Sequence, residues 1–122
     1  MSRRSRERGA VTAETAVALP GLALVAVLCV WAVLSLAVHL RCIDAARLGA
    51  RELARGEPPS VVVAVTRAQA PEGARVRLSA AGPQLVTVRV TARVPLLWGW
   101  RGGPELAVGG AAVAAAESAG RT

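Results

Sequence analysis

From Thr15 to Val38 the chain runs for 24 residues without a charged side chain. As a helix rising about 1.5 Å per residue, that run spans about 36 Å, enough for the roughly 30 Å hydrocarbon layer of a membrane. A single spanning segment must satisfy its backbone internally, so helix is its only conformation. Pro20-Gly21 lies inside it and is expected to bend or loosen its first third. Trp31 falls late in the run, and His39 and Arg41 mark its end.

Beyond the run the pattern changes. Ile43 to Arg55 is helical, with Ile43, Ala46, Ala50 and Leu53 on one face and Asp44, Arg47, Arg51 and Arg55 on the other. It continues the membrane helix by three or four turns, with Gly56 as C-cap and Pro58-Pro59 as the stop. Over Ser60 to Ala70, β-branching favours strand, whereas the Pro-Pro entry and Ala-rich exit suit a short helix, the reading adopted here. Val76, Leu78 and Ala80 alternate with polar residues as in a half-buried strand, and Gly82-Pro83 turns the chain. Val86 to Val94 alternates most clearly. Leu106 to Ala116 supplies a third strand, with Gly109-Gly110 as a bulge or break. The expected fold class is α+β: a long N-terminal transmembrane helix extended outside the membrane, then a small antiparallel β head. The divisions are a basic leader (1–9), the spanning helix (10–40), its extension (41–57) and the head (58–122).

Composition narrows the chemistry. In 122 residues, 53% are hydrophobic but only 2% aromatic, with three Trp and no Phe or Tyr. All 15 basic residues are Arg, against 8 acidic ones, for a net charge of +7. Absence of Lys and Asn alongside abundant Ala, Gly, Pro and Arg fits a high-GC genome. The Arg residues are spread along the chain with an excess only at the N-terminus, and no aromatics interleave to stack bases, so nucleic acid is not an expected partner. Cys29 and Cys42 would lie about 20 Å apart on one helix, too far to bridge. Cys42 reads as a free thiol, with pairing to another subunit as the alternative. No Cys–His pair, phosphate-cradling loop or metal cluster appears, so no enzyme, cofactor or metal site is expected. Trp98 and Trp100, on a Gly-rich loop, are candidate partner contacts if exposed and core-fillers if packed on the sheet. Arg47, Arg51 and Arg55 are further candidate contacts, for lipid phosphates or a neighbour's acidic groups, or simply a solvated face.

One carboxylate stands at the entrance to the apolar run. In Arg8-Gly9-Ala10-Val11-Thr12-Ala13-Glu14-Thr15, Glu14 is the sole charge after Gly9. An ionisable group in a membrane helix costs roughly 2.5–3.5 kcal/mol near the centre, and less at the boundary, where it simply reaches water. Basic leader, Gly, then Glu five residues on, heading a long apolar helix, resembles the processing site of type IV pilin-like precursors. More narrowly, Gly9 to Glu14 with Ala16-Val17-Ala18-Leu19-Pro20, and Arg41-Cys42-Ile43-Asp44-Ala45-Ala46-Arg47 after the span, resemble actinobacterial members of the TadE-like family. These are minor pilins or pseudopilins of Tad-type type IV pilus and secretion systems. The likeness covers roughly residues 8–55; where members often carry an aromatic after the Glu, this chain has Thr15.

The resemblance implies cleavage by a prepilin peptidase between Gly9 and Ala10, with Glu14 as mature residue five setting subunit register. It implies other pilins, a membrane platform and a secretion ATPase as partners, and a pilus as one destination. The cluster Arg3, Arg4, Arg6 and Arg8 is expected to stay cytoplasmic, leaving the C-terminal part outside a single-pass chain in the bilayer. Two other readings are open: a generic single-pass protein whose head binds an extracytoplasmic partner, or a secreted product cut near Ala37.

Overall fold

The computed structural model describes residues 3–97 and 102–115 and contains helices α1 (Arg3–Ala54) and α2 (Pro59–Gln69) and strands β1 (Arg75–Gly82), β2 (Leu85–Pro95) and β3 (Glu105–Ala115). The strands form one antiparallel sheet in the order β1-β2-β3. The fold is thus α+β, a long apolar N-terminal helix with a small β head. Two units divide the chain, Met1–Leu34 and Ser35–Thr122.

Helix α1 is built mainly from Ala, Leu and Val, and it runs through Pro20 and Gly21 without interruption. Thr12 and Thr15 donate their hydroxyls to the carbonyls of Arg8 and Val11, at 2.8 and 2.9 Å, so these polar side chains are satisfied within the helix. The end at Ala54 is a Schellman cap: Glu57 N–H donates to the Glu52 carbonyl and Gly56 N–H to that of Leu53. That geometry requires a left-handed residue, and Gly56 supplies φ +84°. Pro59 then opens α2 at a position where no N–H is needed. The segment that β-branching alone would have made a strand is therefore helical, because its proline entry starts a helix well.

In the head, the 42–50 stretch of α1 and the inner face of α2 lie over one face of the sheet. Cys42, Ala45, Ala46, Ala70, Val90 and Ala92 form one buried cluster, and Ala50, Val88 and Ala114 another. The buried stripe of α1 is centred on Cys42, Ala46, Gly49 and Ala50, with Ile43 and Leu53 at its margins. Residues 41–54 thus supply the head's principal helix, and the folded unit begins at Ser35 within α1. Strand β2 follows its alternation: Val88, Val90, Ala92 and Val94 are buried, and Arg89, Thr91 and Arg93 are exposed.

The expected bulge or break at Gly109-Gly110 does not occur. Strand β3 pairs with β2 in continuous register from Leu85↔Ala115 to Pro95↔Glu105. The glycines serve approach instead. A Cβ on Gly110 would come within 2.6 Å of the Ile43 backbone, and one on Gly109 within 2.8 Å of the Val90 carbonyl oxygen. The irregularity in the sheet falls elsewhere, between Ala80 and Gly82 beside the hairpin.

Gly49 is the matching position on α1. A Cβ there would collide with the Thr66 hydroxyl and lie 3.0 Å from Val88 Cγ1. Thr66 itself is fully buried, its hydroxyl donated to the Val62 carbonyl at 2.6 Å. Gly49→Val is expected to destabilise the head by about 1–3 kcal/mol, although it removes a helix-weakening glycine. Adding Thr66→Ala should recover part of the loss for Gly49→Ala, since the contacts left are with Val88 Cγ1 at 3.0 Å and Thr66 Cβ at 3.4 Å. Thermal melts of the full-length chain in detergent read both changes, and a neutral Gly49→Val would contradict the packing.

Candidate processing and assembly segment

The N-terminal stretch of α1 carries the chemistry singled out in the sequence. Gly9, Ala10 and Glu14 are all on the helix and all exposed. Ala10 and Glu14 are four residues apart, so they share a face, about 6 Å apart along the axis. Nothing lies within 4 Å of where a Gly9 Cβ would be, so packing within the chain does not demand glycine there. No ion pair involves Glu14 among the described residues. The first turn of α1 carries no acidic residue, so Arg3, Arg4 and Arg6 sit at the positive end of the helix dipole uncompensated.

The large apolar side chains that follow are exposed. Val17, Leu19, Leu22, Leu24, Val25 and Val27 are all more than half exposed, and Val17 reaches 78%. Successive positions of an α-helix point 100° apart, so these residues clothe it on every side. A helix apolar all round is stable only in lipid or against other apolar surfaces. Among the described residues, α1 alone is long and apolar enough to cross a membrane.

The other candidates are separate from this segment. Arg47 lies 4.0 Å from Asp44 and Arg55 lies 3.1 Å from Glu52, both within one helical turn, whereas Arg51 forms no ion pair among the described residues. Such exposed pairs contribute about 0–1 kcal/mol, so the three arginines form a largely solvated face with Arg51 uncommitted. Trp98 and Trp100 lie outside the described residues. No group of His, Cys, Asp or Glu able to hold a metal occurs among the described residues. Cys42 is fully buried, which excludes the alternative that its thiol pairs with another subunit while the head is folded.

Two features were not singled out in the sequence. The small-residue contacts at Gly49 and Gly110 had a readable signal only in being glycines within a helix and a strand. The second is a grouping of arginines: strand register places Arg75, Arg77, Arg89 and Arg93 on the outer sheet face, although they look dispersed along the chain.

The chain is similar in sequence to a protein of Mycobacterium tuberculosis (strain ATCC 25618 / H37Rv), "Apoptosis inhibitor Rv3655c". It is 39% identical over 104 residues, which cover 85% of this chain and 77% of that protein. A match of this extent must include α1 from Leu19 onward, α2 and strands β1 and β2. No family model matches the chain, and no solved structure matches it.

Burial pushes the Cys42 thiol above its ordinary range, with the nearby Arg41 charge opposing in part. Its thiolate is therefore scarce as well as shielded. In a Cys29→Ser background, native Cys42 should react with a maleimide at least about tenfold more slowly than in denaturant. Equal rates would place Cys42 outside the core.

Proposed function

We propose, for a chain that belongs to the family of the Mycobacterium tuberculosis Apoptosis inhibitor Rv3655c, that it is a minor pilin-like membrane subunit of a Tad-type type IV pilus or secretion apparatus. It is processed after Gly9 and assembled through its apolar helix. The observation carrying this reading is the pairing of Gly9 and Glu14 on one exposed helix, apolar all round beyond them, which leads into a small α+β head.

The physical steps follow from that arrangement. The Gly9–Ala10 bond lies within a helix, so a peptidase must unwind it locally to reach the carbonyl. Glycine lowers that cost by roughly 1 kcal/mol relative to alanine. Cleavage removes four arginines and Glu7 and creates an α-ammonium at Ala10. A cation at a helix N-terminus opposes the dipole and needs a nearby anion. Glu14 of the same chain or a neighbour provides one. Between neighbours in an apolar bundle, such a pair is far less costly than either charge alone, and it fixes axial register.

The expected setting is a single-pass chain in the cytoplasmic membrane, with its arginine-rich end inside and its head outside. Partners are a prepilin peptidase, other pilins or pseudopilins, and the platform and ATPase of the apparatus. Entry into a fibre would carry the head to the cell surface. A second reading follows from the relative's description. If the chain acts away from its own membrane, a cut near Ala37 would free the head with its core from Cys42 onward intact.

Mass spectrometry of the mature N-terminus separates these. A start at Ala10 that depends on the prepilin peptidase supports the pilin reading. An intact chain points to a plain anchor, and a start near Val38 to release. Glu14→Gln should leave cleavage largely unchanged while lowering incorporation into the assembly by about tenfold, consistent with loss of a buried charge partner. Normal incorporation of Glu14→Gln would remove the register role.

A further inference from the structure

The outer face of the sheet is strongly basic. Arg77 on β1 is paired directly with Arg89 on β2, and Arg75 with Thr91. Directly opposed like charges, with Cβ atoms about 5 Å apart, destabilise a sheet. Arg93 lies on the same face and is held by Glu105 on β3 at 3.4 Å. Arg75, Arg77 and Arg89 form no ion pair among the described residues. Three guanidinium groups are thus gathered by the fold without a counter-charge.

A second observation concerns the edge. Strand β1 pairs only with β2, so its other backbone edge has no strand partner among the described residues. An open groove runs beside it, lined by Arg67 of α2, Glu72 and Gly73 of the following turn, and Arg75, Val76 and Arg77 of β1. Three of its eight lining residues, which also include Pro71 and Ala74, are arginines, with Glu72 the one carboxylate. The half-buried Val76 gives the groove an apolar element between its charges.

We propose that this edge of β1 docks an extended acidic segment of a partner protein by strand addition. Backbone groups of the incoming strand complete the open ladder, as in other cases where a peptide extends a sheet. Its side chains alternate. Those on the outer face are carboxylates meeting Arg75 and Arg77, which stand about 7 Å apart, the two-residue repeat of any strand. Those on the inner side are small and apolar and lie over Val76. The added carboxylates also relieve the opposition of Arg77 and Arg89.

Other occupants fit less well. A second copy of the chain is also at +7, and its described strands contain a single acidic residue, Glu105. Lipid headgroups and phosphate polymers match the charge but offer no backbone donors and acceptors for the open edge. The far edge of the sheet, β3, also has no second strand partner among the described residues, but its Ala- and Gly-rich sequence selects no particular chemistry. The inference concerns the head and holds whether or not the chain is cut after Gly9.

The test uses the full-length chain in detergent micelles and an eight-residue peptide alternating Glu and Val, the length of β1. The Glu–Val peptide should bind, and should slow hydrogen exchange of β1 amides. Arg75→Gln with Arg77→Gln should weaken it by at least about tenfold, as expected for loss of charge-assisted contacts. Both side chains are exposed, so an unchanged circular-dichroism spectrum will show that the variant stays folded. A Lys–Val peptide should not bind. A Glu–Val peptide methylated on alternate backbone nitrogens should lose binding at one of its two methylation phases. Equal binding of inorganic polyphosphate, or of both methylated peptides, would overturn strand addition in favour of a simple anion patch. Absence of Glu–Val binding, or binding indifferent to the arginine substitutions, would overturn the proposal outright.

Discussion

The head depends on how closely α1 approaches the sheet. Ordinary helix–sheet packing separates the layers with large side chains, and this chain has few to use: no Phe, no Tyr, and a buried core whose largest fully buried members are Val, Thr and Cys. The layers are therefore brought together until backbones nearly meet. Gly110 lies against the backbone of Ile43, and Gly49 against Thr66 and Val88. Ala45, Ala46 and Ala50 line the same contact. Dispersion attraction falls steeply with separation, so a core of small groups coheres only when gaps are closed this tightly. The Schellman cap at Gly56 and the proline start of α2 then place Val62 and Thr66 where that contact needs them.

The first unit of the chain obeys the opposite rule. From Val17 to Val30 its large apolar side chains are exposed, and that stretch has no charged side chain to turn toward water. One sequence thus contains two kinds of hydrophobic surface: a narrow stripe of small residues satisfied at home, and a cylinder of larger Leu and Val that requires lipid or neighbours. Glu14 belongs to the second. Its chemical meaning depends on what surrounds that cylinder, which is why the membrane and the assembly, rather than a pocket, are where the proposed function lies.

Much of this was legible in the residues. The uncharged run, the helical stripe after it and the Arg/Thr–Val alternation of β2 are local patterns, the first two falling on the single helix α1 and the third on β2. The cap at Gly56 was readable because a left-handed glycine before prolines has few other uses. What failed was non-local. Gly109-Gly110 was expected to interrupt β3, yet the reason for glycine there lies in Ile43, more than sixty positions away. The position of Cys42 in the core was missed because apolar Ile43 and Leu53 looked like better stripe residues than the small groups between them. The basic sheet face was missed because grouping Arg77 with Arg89 requires strand register, which charge spacing along the chain does not contain. For the candidate site, Gly9 and Glu14 were visible as a spacing, and the structure adds that both lie exposed on the same helix.

The small-residue core carries a thermodynamic consequence as well. The heat-capacity change of unfolding scales with the apolar area released, and buried Ala and Val release far less than Leu or Phe. A head built this way should have a shallow stability curve, with neither a high maximum nor a steep fall on cooling or warming. For a subunit whose large apolar surface is committed to its surroundings, persistence of the head over a broad temperature range would follow from that flatness, not from strength at any one temperature.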